Sequence, residues 1–348
     1  MHTDILIVGG GLSGLALATR LYAEGRDVTL IEARPRFGGR ICGIGPDAAF
    51  DLGPAWFWPG QPRIAALIRQ LNLKVYEQHW AGTLSFEDAR GRVERGAGFA
   101  SMQGSLRLEG GFAGLISALV QKLPQDRLHH GWRIARIESG NDRLHVIDDR
   151  GRSIQARQVV LALPPRLAAE TIQMPDLPDA ARARLAATPT WMAGQAKVLA
   201  TYEAPFWRDA GLSGDAMSRH GPMVEIHDAS LPNGPAALFG FVGLPAAART
   251  DISALRAAAL AQFARLFGPQ AAEPLALHIK DWAADAFTAT PADAAPLGHH
   301  PAYGPAPALD KPLAGKLFFS GSETAREFGG FLEGALEAAD ITYGALAL

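Results

Sequence analysis

The sequence lacks almost everything that would tie it to a membrane, a nucleic acid or an oxidising compartment. It holds one cysteine, Cys42, in 348 residues, which excludes an internal disulfide and any zinc site built on cysteine pairs. No apolar run approaches the ~20 residues that span a bilayer. Its 33 Lys and Arg stand against 35 Asp and Glu, a formal net charge of −2. Without a basic block, nucleic acid and anionic lipid surfaces have no electrostatic footprint here. The doublets His129-His130 and His299-His300 lack metal-ligand spacing, so no metal is expected. Neither a Gly-x-Ser-x-Gly elbow nor a phosphate-loop lysine motif occurs, which leaves acyl and phosphoryl transfer without support. Internal repeats are absent. A strand beginning at Asp4 leaves no room for a signal peptide, and a cytoplasmic protein is expected.

What is present is concentrated in the first forty residues. Asp4 to Val8 is a short apolar run, followed at once by Gly9, Gly11 and Gly14. From Leu12 the pattern becomes helical, with Leu12, Leu15, Ala16, Thr19 and Ala23 on one stripe. Gly25 is placed to end that helix, Asp27 to Ile31 reads as the next strand, and Glu32 follows 18 residues after Gly14. With 38 glycines in the chain, the bare three-glycine pattern has about half a chance match and is weak by itself. The strand before, the helix after and the acid at its distance make it a dinucleotide site. Glycines allow close backbone approach, the helix N-terminus faces a pyrophosphate, and the carboxylate accepts from ribose hydroxyls. The length calls for two domains, and Pro291 to Pro312, rich in Pro, Ala and Gly, reads as a long surface connection.

A second cluster follows: Arg34, Arg36, Gly38, Gly39, Arg40, then Asp51-Leu52-Gly53. Nicotinamide dehydrogenases do not need it, whereas an arginine among glycines can reach a further phosphate. Here the sequence resembles the flavin-containing amine oxidase family, in the compact bacterial monoamine oxidase style. Further blocks in the family's order are GGFAGLISALVQKL from Gly110, RQVVLALPPRLAAE with Pro164-Pro165, GQAKVLATYEAPFWR from Gly194, and KLFFSGSETAREFGGFLEGALEAA near the C-terminus. The resemblance implies an α/β fold: a Rossmann-like FAD-binding domain of the glutathione-reductase type, with a smaller α+β substrate domain inserted. The implied division is 1–60, 104–165 and 296–348 for FAD, and 61–103 and 166–295 for substrate. It implies FAD contacts from Gly9, Gly11, Gly14, Glu32, Arg34, Gly39, Arg40, Gly53, Leu128, Gly321, Glu323 and Leu332. Lys197 and Phe331 take catalytic positions, with Lys197 ordering a water beside the flavin. Trp56, Phe57, Trp191, Trp282, Phe287 and Phe331 line the implied substrate pocket. From the residues alone, Lys197 can equally be a solvated strand lysine, Glu323 a loop brace, and Phe331 a core aromatic.

Three departures qualify the resemblance. The stretch DWAADAFTATPADAAPLGHH has no cysteine where animal monoamine oxidases tether their flavin, so FAD is expected to be non-covalent and Cys42 a small buried residue. Phe331 replaces one of the two tyrosines that cage the amine. The other cage position falls on Ala292 when Trp282 sets the register, or on Phe287 after a slide of a few residues. Third, Trp58 and Gly110 are separated by about fifty residues, which implies a reduced cap over the site. Trp58, Phe206 and Trp207 join the aromatics assigned to the cavity side, and His227-Asp228 reads as a loop pair. The expected activity is oxidation of an amine to an imine, then an aldehyde and ammonia, with dioxygen reduced to hydrogen peroxide. Alternatives are an FAD-dependent desaturase acting on carbon–carbon bonds and a non-catalytic flavin-binding regulator.

Overall fold

The computed structural model describes residues 1–295, 297–304, 306–309 and 312–346. The expected domain boundary at 296, parts of the expected 291–312 connection, and residues 347 and 348 therefore lie outside the described residues.

Two seven-stranded sheets organise the described residues. In the first, β1 (His2–Val8) lies parallel between β2 (Val28–Glu32) and the strand Ser153–Leu161. Alternation along β1 sends Ile5 and Ile7 to one face and Leu6 and Val8 to the other. Both faces are covered, which is why β1 and β2 read as nearly unbroken apolar runs. Helix α1 (Leu12–Ala23), helix Gly111–Val120 and the C-terminal helix Leu332–Leu346 cover the first face. The strand Ser153–Leu161 has two partners on its outer side. Its first half pairs antiparallel with Leu144–Asp148, and its second half pairs parallel with Leu317–Phe319. The C-terminal strand is thereby brought beside the glycine turn.

The second sheet runs in the order Ala276–Asp281, Ala196–Tyr202, Ala236–Val242, Met223–Asp228, Leu212–Ser218, Thr83–Glu87, Val93–Arg95. Its outer face packs on helix Ile252–Phe267, with Val198 and Ala200 against Phe263 and Leu266. That helix starts at Asp251, whose carboxylate accepts from the Ala254 N–H at 2.9 Å, and stops at Gly268, where φ is 100°. The inner face sets Leu199, Ala237 and Phe239 against Phe50, Leu52 and Trp56, and so turns toward the first sheet.

Packing departs from the expected domain limits in two places. Helix Pro62–Gln70 buries Ile64 and Ile68 in the core under α1 and is tied to Glu333 of the C-terminal helix. Helices Pro165–Thr171 and Asp179–Ala187 bury Ala168, Ala181 and Leu185 against the first sheet. The resemblance gives residues 61–103 and 166–295, and so these helices, to the substrate portion. Apolar stripes decide where a helix docks, and these stripes match the first sheet's faces. Among the described residues no helix is long and apolar enough to cross a membrane.

Candidate active site

One continuous cavity runs from the glycine turn to the inner face of the second sheet. At the turn, Gly9 has φ 112°, and a Cβ there would lie 2.5 Å from the Ala162 carbonyl oxygen. Gly14 is off the wall: a Cβ on it would sit 2.0 Å from Gly9 O, so its role is to let α1 close on β1. Helix α1 opens at Gly11 with no side-chain cap and no acid in its first turn, leaving its positive end to the cavity. Glu32 is buried at the end of β2. Its carboxylate accepts from the Gly10 and Arg34 N–H groups, both at 2.8 Å, so it braces the turn while lining the cavity.

The three arginines of the second cluster already have protein partners. Arg34 donates to Asp285 at 2.6 Å and to the Thr288 hydroxyl at 2.9 Å, joining the turn to the segment after Trp282. Arg36 donates to the carbonyls of Phe37, Gly39 and Ile41. Arg40 pairs with the fully buried Glu323 and with Ser322. Glu323 is therefore off the wall and reached through Arg40 and the Ser322 hydroxyl, both of which line the cavity beside Gly39, Gly321 and Leu332. Leu128 is not on the wall; it packs in the core below β2, its strand paired with Leu30. The neighbouring wall is made instead by Trp132, Arg133 and Ile134.

At the other end, Lys197 points into the cavity because it alternates with Ala196 and Val198, which face the helix side. Its strand is buried along its whole length, so the solvated-lysine reading fails. Lys197 Nζ donates to the Gly53 carbonyl at 2.5 Å and lies 5.3 Å from the Phe241 ring centre. Trp282 Nε1–H donates to the Leu52 carbonyl at 3.0 Å. Burial pulls the Lys197 ammonium down to about 8, although Asp51 and Cys42 act to raise it. Asp51 is buried too. Desolvation pushes its carboxyl up to about 7, against the opposing pull of Arg107, the Phe112 N–H and Lys197.

The aromatic wall is only partly the expected one. Trp56, Trp58, Trp191, Trp282 and Phe331 line the cavity. Phe57 does not; it meets Phe112 edge to face in the first core. Phe206 and Trp207 pack under the far face of the second sheet. Phe287 lines the cavity at its Glu32 end, its ring 5.3 Å from the Arg34 guanidinium, and so is not part of a cage with Phe331. Ala292 is exposed and absent from the wall. What backs Phe331 is His300, stacked on it at 4.8 Å and set edge to face against Trp191 at 5.0 Å. His299 is exposed, so the doublet splits its roles.

His227 and Asp228 are a strand pair, not a loop pair. His227 stands edge to face with Trp56 at 5.4 Å, its two nitrogens 2.8 Å from Asp215 and Glu225. Burial opposes charge on the ring, but the two carboxylates outweigh it and hold His227 above the ordinary imidazole range. Asp228 accepts from Trp207 Nε1 and takes both arms of Arg208. Cys42 is half-buried and off the cavity wall. Among the described residues no acid, histidine and cysteine cluster could hold a metal ion. Sequence reasoning missed Trp132, Arg133, Phe241 and His300. Phe241 alone had a signal, as the cross-strand partner of Lys197 on an apolar strand.

The cavity fits a long dinucleotide with an aromatic head. It has an uncapped helix end, a carboxylate at the end of β2, and a lysine and tryptophans at the opposite end. The family model for flavin containing amine oxidoreductase matches residues 77–342, and one for an NAD(P)-binding Rossmann-like domain matches residues 7–71. The chain is 24% identical to a probable flavin-containing monoamine oxidase A of Dictyostelium discoideum, over 96% of this chain and 95% of that one. It is 24% identical to the putrescine oxidase of Kocuria rosea, over 83% and 84% of the two chains. The alignment with the Dictyostelium protein spans 445 positions, more than the 348 residues here, so that relative carries segments this chain lacks. The structure of cyclohexylamine oxidase from Brevibacterium oxydans IH-35A shares the fold, with a TM-score of 0.83 at 22% identity over 99% of this chain and 98% of that one. None of these favours a carbon–carbon desaturase or a non-catalytic flavin binder. The chain belongs to the flavin-containing amine oxidoreductases, and it is an FAD-dependent enzyme of amine oxidation.

Proposed function

We propose that this enzyme oxidises apolar primary amines with dioxygen, using FAD held without a covalent bond. The observation that carries the reading is Lys197, a buried cation placed by strand alternation at the aromatic end of a dinucleotide cavity. Glu32 would meet the adenosine ribose, the start of α1 the pyrophosphate, and Arg40, Gly53, Gly321 and Leu332 the rest of the cofactor. When bound, FAD supplies a two-electron acceptor for the amine's α-carbon hydride and passes the pair to dioxygen. The overall balance is amine, dioxygen and water going to aldehyde, ammonia and hydrogen peroxide.

The chain's own part is positioning and charge. The walls of Trp56, Trp58, Trp191, Phe241 and Phe331 favour a neutral amine over its ammonium form, because a low-dielectric pocket disfavours the ion. Lys197 would hold a water beside the flavin and offer a positive charge where negative charge develops as dioxygen is reduced. His300 keeps the Phe331 ring in place by stacking. We assign the first sheet with its docked helices, Pro62–Gln70, Pro165–Thr171 and Asp179–Ala187 included, to cofactor binding, and the second sheet to substrate. A cytoplasmic location accords with a chain whose one cysteine is free.

Lys197→Met tests this. The side chain keeps its length and loses its charge, and losing one preorganised polar contact at a reacting centre costs on the order of a hundredfold in rate. We expect FAD to stay bound while flavin reoxidation by dioxygen falls by that factor in stopped flow. Rates within about twofold of wild type, far less than one preorganised contact is worth, would reject the role of Lys197. Peroxide release across a panel of amines reports the substrate class, and colour left in an acid-precipitated pellet would reject the non-covalent cofactor.

A further inference from the structure

Three consecutive residues, Asp51, Leu52 and Gly53, each take one donor from a different part of the molecule. The Asp51 carboxylate accepts from the Phe112 N–H, at the start of helix Gly111–Val120, at 3.0 Å. The Leu52 carbonyl accepts from Trp282, and the Gly53 carbonyl accepts from Lys197. A Cβ at Gly53 would lie 2.0 Å from Arg40 O, so this strap is pressed against the loop that carries Arg40. The two side chains at the aromatic end of the cavity are therefore aimed by a strap whose first residue is anchored on a helix N-terminus. Asp51 is buried and off the cavity wall.

We propose that Asp51 is a positioning residue for Lys197 and Trp282: it fixes the strap whose carbonyls hold both, and it sets a carboxyl facing Lys197. The proposal rests on the role given to Lys197 above. The groups around the pair are few. Lys197 faces Asp51 and Cys42, and Lys280 stands opposite it on the next strand, its own ammonium 2.6 Å from Asp285. Asp51 faces Arg107 and Lys197. Arg107 is buried, with an unpartnered Nε and its guanidinium over the Tyr76 ring, and it acts on the Asp51 carboxylate more strongly than Lys197 does. In Asp51→Asn the amide oxygen can still accept from Phe112 N–H, while the charge is lost and the second oxygen, 3.3 Å from that N–H, becomes an amide donor. In Asp51→Glu the charge stays and the strap is pushed.

The experiment follows the Lys197 side chain directly, in lysine-labelled protein without substrate, using the carbon resonance beside Nζ, assigned by its loss in Lys197→Met. Wild type should titrate near 8, and Asp51→Asn should move that midpoint down by about one pH unit, the scale of a lost neighbouring charge. The alkaline limb of flavin reoxidation should move with it, while Asp51→Glu keeps the limb and lowers Trp282-dependent fluorescence order. A wild-type midpoint at the ordinary lysine value overturns the proposal without any variant. So does an Asp51→Asn midpoint unchanged within about 0.3 pH unit, a fraction of what a nearby charge contributes. If Lys197→Met reoxidises normally but the midpoint moves as stated, the catalytic role fails and the positioning role stands.

Discussion

Asp51 and Lys197 pull the stability of the fold in opposite directions with pH. The Asp51 carboxyl titrates near 7 in the folded chain against an ordinary 3.8, because burial disfavours its charge. The folded state holds that proton more tightly, so the group's contribution is whole below pH 4 and is lost as pH rises through 7. The slope is at most about 1.4 kcal/mol per pH unit. Lys197, lowered to about 8 from 10.5 by burial, contributes fully above 10.5 and loses its contribution as pH falls through 8. Thermal unfolding of wild type and Asp51→Asn between pH 4.5 and 9 should therefore differ in slope. From pH 5 to 7 wild type should lose stability relative to the variant, and parallel curves would mean that the carboxyl titrates normally.

The strands and helices that carry a period were legible; the faces they present were legible only where a motif named them. β1, α1 and β2 appear within two residues of the boundaries read from Asp4–Val8, Leu12–Ala23 and Asp27–Ile31. Glu32 was readable because a carboxylate that closes a buried apolar strand must find donors, and the glycine turn beside it supplies them. Leu128 and Phe57 look as apolar as any wall residue, and only the packing of β2 and of helix Gly111–Val120 puts them in the core. His300 could not be read at all, since its partner Phe331 is thirty-one residues on and no period links them. Glycines divide in the same way. Gly14→Ala would drive a methyl into the Gly9 carbonyl, a backbone contact that cannot yield. We expect a loss beyond the usual 1–3 kcal/mol of overpacking and a colourless protein. Gly114→Ala, mid-helix with nothing within 4 Å, should raise stability by about 0.5–1 kcal/mol. Chemical denaturation of the pair separates close approach from mere flexibility.

Across the whole molecule, the C-terminal helix acts as a clasp. Glu333, fully buried, accepts from the Arg63 and Ile64 N–H groups and from the Arg63 guanidinium. It thus caps helix Pro62–Gln70 from a segment 270 residues later in the chain. Glu333→Ala strands two N–H groups and leaves Arg63 with Asp340 as its remaining partner, and we expect about 3 kcal/mol of lost stability by denaturant titration, with flavin released early in the transition. A loss under about 0.5 kcal/mol, the level of an ordinary surface change, would mean that the clasp carries little.

The same long reach governs how the protein can be made. The glycine turn is translated first, yet the wall opposite it contains Gly321, Phe331, Leu332 and Ala335. A ribosome that has finished both sheets' inner strands still holds back the residues that close the cavity. Cofactor capture therefore belongs to the end of synthesis, and until then the apolar lining, tryptophans included, stands open to whatever else is in reach.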